Sequence, residues 1–229
     1  MASQWHERQK ITRISVQGAT GLSRIAVQKV IDTLCNKRVK SLPLSQIRKY
    51  VEAVPYVRNA SAYFSGVRHV TIEVEERLPV AHLLTSGGHL RYVDQFGTVL
   101  PYVQERTAHN VPVLRSHDGR QLTSSDVLRV SSILVNASRV LDPRLYQSIS
   151  EVVVNKSSNT IAMITDETRW NLGIVNPERI QLALRDMNVF WHQAANQINM
   201  ASVQEVDLRW NHQVVLRYHQ QSRLTGSST

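Results

Sequence analysis

The sequence predicts an α+β protein in two parts, a small βααββ unit followed by a larger strand-rich unit flanked by helices. Three observations support this prediction. Apolar residues recur at helical spacing in four segments, apolar and polar residues alternate in short stretches between them, and Pro79 follows the clearest alternating stretch. The chain has 229 residues, of which 42% are hydrophobic and 20% charged. These values are typical of a globular protein with a substantial core.

The first unit is predicted as strand, helix, helix, strand and strand. These elements are expected near residues 11–16, 22–34, 44–54, 59–64 and 70–74. Ser23 is placed to cap the first helix, and Pro55 ends the second. Because Val70, Ile72 and Val74 alternate with polar residues, the last strand is expected to bury one face and expose the other.

The second unit is predicted to contain two helices and several short strands. One helix is expected near 125–141, and another begins at Pro177 with Asn176 as its cap. The strands are expected near 81–85, 90–93, 98–101, 149–154, 160–165 and 169–174, followed by a hairpin of 205–210 with 213–218. The fold is therefore expected to contain a mixed or antiparallel sheet with flanking helices.

The charge of the chain is concentrated in its first third. The formal net charge is +9, and residues 1–78 hold 13 basic and 6 acidic side chains, a difference of +7. Lys37, Arg38 and Lys40 form the densest basic cluster. Such a cluster is a candidate surface for nucleic acid, anionic lipid headgroups or an acidic partner. The alternative is a solvated basic loop.

No catalytic or cofactor-binding motif is recognisable. The chain lacks nucleotide-binding glycine motifs, HExxH and GxSxG. A single cysteine, Cys35, excludes paired-cysteine zinc sites and an intramolecular disulfide. Asp94 with Gly97 favours a turn over a catalytic site. We therefore expect no enzyme activity, no cofactor, no metal and no small-molecule substrate.

The last hairpin carries the residue types that are enriched at protein interfaces. Arg209, Trp210, Arg217 and Tyr218 are the candidate partner-binding residues, since arginine and large aromatic side chains dominate interface hot spots. A hairpin at a sheet edge could also accept a strand from a partner. The alternative is that Trp210 is a core residue, because its alternation with Val206 and Leu208 favours one shared face.

Six short stretches resemble, in order, the motifs of one family. They are residues 14–18, 54–60, 70–81, 93–99, 111–114 and 206–210. The third is similar to I-x-V-x-E-R-x-P-x-A, the fourth to V-D-x-x-G-x-V, and the last to I-D-L-R-Y. Together they cover about residues 11 to 218 and resemble the FtsQ/DivIB family of bacterial cell-division proteins.

The resemblance implies a non-enzymatic scaffold of the division septum. It implies a POTRA domain and a β domain on the outer side of the cytoplasmic membrane, binding FtsB/FtsL-type partners by strand addition at the last strand. Arg209 and Trp210 match the family's Arg-Tyr positions there. The expected domains are an N-terminal tail (1–10), the POTRA domain (11–79), the β domain (80–220) and a disordered tail (221–229).

Family members normally carry a membrane helix ahead of the POTRA domain. The longest aliphatic run in this chain is about four residues, whereas a membrane helix needs about 20. We therefore expect a soluble fragment whose N-terminal basic residues lie near lipid headgroups. Two other functions remain as alternatives, a POTRA-bearing module of an outer-membrane export system and, less favoured, a basic nucleic-acid-binding protein.

Overall fold

The computed structural model describes residues 11–36, 43–103, 110–166, 168–193, 197–210 and 213–219. The chain divides into two compact units. One comprises Met1–Leu78 with Leu100–Ala108, and the other comprises Pro79–Val99 with His109–Thr229. Both combine helices with a β-sheet, so the predicted α+β fold class is confirmed.

The first unit has the predicted βααββ order. Its elements are β1 (Arg13–Gln17), α1 (Gly21–Asn36), α2 (Leu44–Glu52), β2 (Val57–Gly66) and β3 (His69–Glu76). β3 is the central strand, with β1 parallel to it on one side and β2 antiparallel on the other. Its Val70 and Ile72 are fully buried in a cluster with apolar residues of both helices. This cluster is the core of the first unit.

The N-terminus of α1 is held by a carboxylate from another element. Glu76, the last residue of β3, accepts hydrogen bonds from the backbone N–H groups of Thr20 (2.9 Å) and Ser23 (3.2 Å) and from both of their hydroxyls. A negative charge at this position is favourable because the first N–H groups of a helix have no partner within the helix. The prediction that Ser23 caps α1 is therefore wrong: the helix begins two residues earlier, and Glu76 caps it.

The second unit is built on the larger sheet. The strands of this sheet are β4 (Pro79–Leu84), β5 (Leu90–Asp94), β6 (Val99–Leu100), β7 (Val113–Ser116), β8 (Ile149–Asn155), β9 (Thr160–Thr165), β10 (Thr168–Ile174), β11 (Val203–Asp207) and β12 (Val215–Tyr218). Its helices are α3 (Ser124–Val140), α4 (Pro143–Gln147) and α5 (Pro177–Gln193), with a short 3-10 helix at Met200–Ser202. The order in the nine-stranded sheet is β12-β11-β10-β9-β8-β7-β4-β5-β6.

One face of this sheet packs against the helices. The core joins residues of β8, β9, β10 and β11 to the apolar faces of α3 and α5. Trp170 is fully buried there, donates from its Nε1 to the hydroxyl of Thr165 at 2.7 Å, and meets the ring of Phe190 edge-on with centroids 5.8 Å apart. This helix-covered face holds β10 and β11 in position and so fixes the end of the sheet that carries β12.

Both long helices of the second unit begin at side-chain caps. Thr123 and Asp126 form a reciprocal capping box at α3. Burial raises the pKa of Asp126, but hydrogen bonds from Thr123 and the nearby charge of Lys156 outweigh it and lower the pKa to about 2. At α5, the Asn176 side chain accepts from two backbone N–H groups, at 3.0 and 3.2 Å, so the predicted cap is confirmed.

The Asp94 to Gly97 segment is a turn, as the sequence predicts. The Asp94 carboxylate is buried and accepts from the backbone N–H groups of Phe96 and Thr98, at 2.9 and 2.8 Å. Gly97 has φ of 74°, and a Cβ at this position would lie 2.7 Å from the Cα of Leu128. Glycine is therefore required both by the backbone conformation and by the close approach of α3.

Candidate functional site at the edge of the sheet

The sheet of the second unit ends at the predicted hairpin. β12 pairs antiparallel with β11, in a register that places Leu216 opposite Val206 and Val215 opposite Asp207. β12 is the terminal strand, and in the described part of the chain no strand pairs with its other edge. Residues 211 and 212, between the two strands, lie outside the described residues. Within the described residues, the outer edge of β12 is therefore not covered by another strand.

The direction of the backbone groups follows from one hydrogen bond. The N–H of His219 donates to the carbonyl of Ser202 at 3.0 Å, toward β11. Because the polar groups of an antiparallel strand alternate between its two edges, those of Arg217 also point toward β11. The N–H and C=O groups of Leu216 and Tyr218 point the other way. They form a short donor and acceptor row suited to pairing with a further strand.

Neighbouring side chains on β12 lie on opposite faces of the sheet. Leu216 packs against the helix-covered core, and Tyr218, two residues on, shares that face with 53% of its surface exposed. Arg217 lies on the opposite face and approaches Glu205, with 3.8 Å between its Nη1 and a carboxylate oxygen. The structure thus brings the four predicted site residues to one hairpin but separates Arg217 from Tyr218 by the thickness of the sheet.

Arg209 is engaged within the protein. Its Nε and Nη2 donate to both carboxylate oxygens of Asp207, at 2.6 to 3.1 Å, and its backbone N–H donates to the same carboxylate. These bonds hold the pKa of Asp207 below its ordinary value against the opposing effect of burial, and the charge of Arg217 lowers it further. Arg209 therefore neutralises a carboxylate that is almost fully buried.

Trp210 is 55% exposed, so the alternative interpretation of it as a core residue is wrong. Val206 and Leu208 are buried as the alternation predicts, but β11 ends at Asp207 and the chain leaves the sheet before it reaches Trp210. The carbonyl of the preceding Arg209 accepts a hydrogen bond from the Arg179 guanidinium on α5. This contact ties the departing chain to the helix, next to the exposed indole.

Two features of this site had no clear sequence signal. The first is the ion pair of Asp207 with Arg209. A spacing of two residues places both side chains on one face only while a strand continues, and Arg209 lies beyond the end of β11. The approach of Arg209 to Gly173 is the second: a Cβ on Gly173 would lie 3.0 Å from the Arg209 Cγ. The absence of a side chain there, at a φ of 86°, leaves room for the arginine stem.

The basic cluster of Lys37, Arg38 and Lys40 lies outside the described residues. Among the residues that are described, no group of three or more His, Cys, Asp or Glu side chains is arranged to hold a metal ion. Over the same ranges, no helix combines the length and the hydropathy that crossing a bilayer requires.

Comparison with known proteins identifies the family of both units. Residues 78–216 match the family described as FtsQ/DivIB, C-terminal related, and residues 9–77 match the POTRA domain, FtsQ-type. Three proteins named Cell division protein FtsQ are similar to the chain. That of Koribacter versatilis is 24% identical over 210 residues, that of Rhodothermus marinus 24% over 222, and that of Jannaschia sp. 28% over 174.

These alignments cover 89%, 93% and 74% of this chain but 58%, 79% and 50% of the respective relatives. The chain thus spans about half the length of two of the relatives that it matches. With both units matched in the order in which they occur, the chain belongs to the FtsQ/DivIB family of cell-division proteins and contains an FtsQ-type POTRA domain.

Proposed function

We propose that the protein is a non-enzymatic scaffold of the bacterial division machinery, which holds an FtsB/FtsL-type partner by adding a strand of that partner to β12. It acts on the outer side of the cytoplasmic membrane, at the division septum. Family membership supports the general role, since the matched relatives are named as cell-division proteins. The site and the mode of binding are supported by the geometry of the last hairpin.

The observation that carries the proposal is the outer edge of β12, with which no strand pairs in the described part of the chain. The backbone groups of Leu216 and Tyr218 point away from β11, and an edge of this kind is a template for main-chain pairing with another chain. β12 is only four residues long, with three exposed and one half-buried. A short edge of this kind limits unspecific pairing and leaves the choice of partner to side chains near the strand.

Two exposed aromatic side chains belong to the hairpin region, Trp210 beyond the end of β11 and Tyr218 at the end of β12. Trp210 and Tyr218 are 55% and 53% exposed, and the burial of large aromatic groups contributes strongly to interfaces. The nearby cations contribute differently. Arg209 is held by Asp207. Arg217 lies 3.8 Å from a Glu205 oxygen, but its side chain is 61% exposed, so its charge remains largely available at the rim of an interface. We therefore expect Trp210 to be important for affinity and Arg217 for the rate of association.

Calorimetric titration with the extracytoplasmic part of the same organism's FtsB-type protein tests this proposal. Wild type is compared with Trp210→Asp and with Tyr50→Asp, which changes a comparably exposed aromatic residue (46%) on α2. We expect Trp210→Asp to weaken binding by about 30-fold or more, which corresponds to ~2 kcal/mol, and Tyr50→Asp to leave it unchanged.

Each variant must first match the circular dichroism spectrum of wild type. Equal affinity of folded Trp210→Asp and wild type would move the site away from the hairpin. No binding by folded wild type, even with the FtsL-type protein added, would overturn the scaffold proposal. An interface based on strand pairing should also depend weakly on salt, whereas a nucleic-acid interface loses affinity steeply as salt rises.

A further inference from the structure

The first unit carries an exposed apolar tip at the turn between β2 and β3. The turn consists of Val67 and Arg68, and Gly66 pairs with His69 at its base. Val67 is 78% exposed, the highest fraction among the large hydrophobic side chains of the described residues. Two-residue turns favour glycine, asparagine and aspartate, so the chemistry of the turn does not explain a valine at this position. Its side chain contributes little to the core and is accessible from outside.

The start of β1 holds this tip in place. The carbonyl of Arg68 accepts hydrogen bonds from the backbone N–H groups of Thr12 and Arg13, at 2.9 and 3.3 Å, and from the Thr12 hydroxyl at 3.2 Å. The imidazole Nε2 of His69 lies 3.0 Å from the hydroxyl oxygen of Ser15 on β1. These contacts fix the backbone of the turn before any partner is present. A preorganised tip loses little conformational freedom on binding.

Two guanidinium groups accompany the exposed valine. Arg68 belongs to the turn itself, and Arg13 lies opposite His69 in the register of β1 with β3. Both arginines are exposed, and neither forms an ion pair within the described ranges. Arg58 near the other end of β2, by contrast, has its Nη1 2.6 Å from a carboxylate oxygen of Glu75. The positive charges at the tip are therefore available to an anionic surface.

The carboxylates of this unit are concentrated away from the tip. Four of the five acidic residues in its described part belong to the far end of the sheet, namely Glu52, Glu73, Glu75 and Glu76. Those on β3 begin four residues beyond His69, roughly 13 Å along the strand at ~3.3 Å per residue. The fifth, Asp32, lies on α1 and accepts a hydrogen bond from Gln28. The unit is thus polarised along its sheet, with free cations at the tip.

An anionic lipid surface fits this combination of groups better than a macromolecule does. Arginine is attracted to phosphate headgroups, and an apolar side chain beside it enters the boundary of the acyl chains. A nucleic acid would pair with the arginines but leave the valine in water. A protein partner needs an interface of about 1,200–2,000 Å² in total, far more than a two-residue turn offers. A bilayer needs neither a pocket nor a large matching surface.

We propose that the β2–β3 turn contacts an anionic lipid surface, with Val67 at the headgroup boundary and Arg13 and Arg68 on the phosphates. This inference goes beyond the proposed function, since it involves neither β12 nor a protein partner. Its residues also differ from the basic cluster of residues 37–40. Because a single small contact gives only marginal, reversible membrane binding, it orients the first unit with its tip toward the bilayer and does not anchor the chain by itself.

Co-sedimentation of the whole chain with vesicles tests this proposal. The vesicles contain about one-third phosphatidylglycerol in phosphatidylcholine, and pure phosphatidylcholine vesicles are the uncharged comparison. Wild type is compared with Val67→Asp, Arg68→Gln and Val67→Trp, the last because tryptophan prefers the membrane interface. Ile25→Asp and Arg24→Gln are the matched controls, since they change an exposed isoleucine (69%) and an exposed arginine at the start of α1. Each variant must match the circular dichroism spectrum of wild type.

We expect the partition onto phosphatidylglycerol vesicles to fall about fivefold in Arg68→Gln and about tenfold or more in Val67→Asp, and to rise severalfold in Val67→Trp. Both controls should stay within about twofold of wild type. Equal effects in the tip and control variants, or no effect of either change at Val67, would overturn the proposal, because the attraction would then be diffuse. Absence of wild-type binding at millimolar anionic lipid would also overturn it. Titration of the FtsB-type protein without lipid tests the proposed function separately.

Discussion

Replacing Arg209 with methionine should destabilise the second unit in a manner that depends on pH. The substitution keeps much of the apolar stem but removes the group that neutralises Asp207, whose side chain is only 3% exposed. Removing one partner of a fully buried ion pair costs about 3–5 kcal/mol. Since the Arg209 side chain is 42% exposed, water replaces part of the interaction. We therefore expect a loss of about 1–2 kcal/mol, or ~2–8 °C in Tm.

The direction of the pH dependence follows from the lowered pKa of Asp207. A carboxyl group whose pKa is lower in the folded state stabilises the fold above its unfolded pKa of about 3.9. This contribution is lost as the pH falls through the folded value. The difference in Tm between wild type and Arg209→Met should therefore be full at pH 7 and should shrink below about pH 4.

Thermal unfolding followed by circular dichroism between pH 7 and pH 2 measures this difference. Arg185→Met, which changes an exposed arginine on α5, serves as the matched control and should shift the unfolding free energy by less than about 0.5 kcal/mol. An Arg209→Met variant as stable as wild type at pH 7 would refute the reasoning, as would a deficit that stays constant down to pH 2.

Three further predictions concern positions where one contact dominates. Gly97→Ala places a Cβ on a left-handed backbone, 2.7 Å from the Cα of Leu128, and should lower the free energy of unfolding by about 2–4 kcal/mol in chemical denaturation. The control Gly119→Ala, at φ 70° with open space around it, should lower it by only about 1–2 kcal/mol, and equal losses would contradict the close-approach argument. Asp126→Asn should cost about 1 kcal/mol above pH 5, and the deficit should shrink as the pH falls toward 2, where about half of the wild-type carboxyl is protonated; urea midpoints across this range test the sign. Glu76→Gln should speed amide exchange in the first turn of α1 by severalfold relative to its last turns, and uniform rates throughout the helix would argue against the carboxylate cap.

The sequence was sufficient where the signal is local. Asn176 followed by Pro177 predicts the start of α5 because the cap and the first helical residue act within one turn. The alternation of Val70, Ile72 and Val74 predicts the central strand of the first unit because one face of β3 packs against the helices. β7 was missed because this four-residue strand has only one fully buried residue, and its pairing with β4 and β8 is parallel and distant in sequence.

The errors made from the sequence have a common cause, which is that periodicity does not show where a strand or helix begins or ends. If the alternation of β11 is extended past Asp207, it places Trp210 in the core. The strand ends at Asp207, however, and the indole of Trp210 is exposed. Ser23 has the chemistry of a helix cap, yet Glu76 reaches the helix start from 53 residues further along the chain. The ion pair of Arg209 likewise depends on how the chain leaves the sheet, which local pattern does not encode.

Amide hydrogen exchange on β12, measured by NMR with and without the FtsB-type partner, tests strand addition most directly. In the described part of the chain, the N–H group of Arg217 faces β11, whereas those of Leu216 and Tyr218 face the edge with which no strand pairs. Strand addition predicts that the partner slows exchange at Leu216 and Tyr218 by at least tenfold and changes that at Arg217 much less. Tight binding with unchanged exchange at Leu216 and Tyr218 would contradict it, because the partner would then be held without pairing to β12.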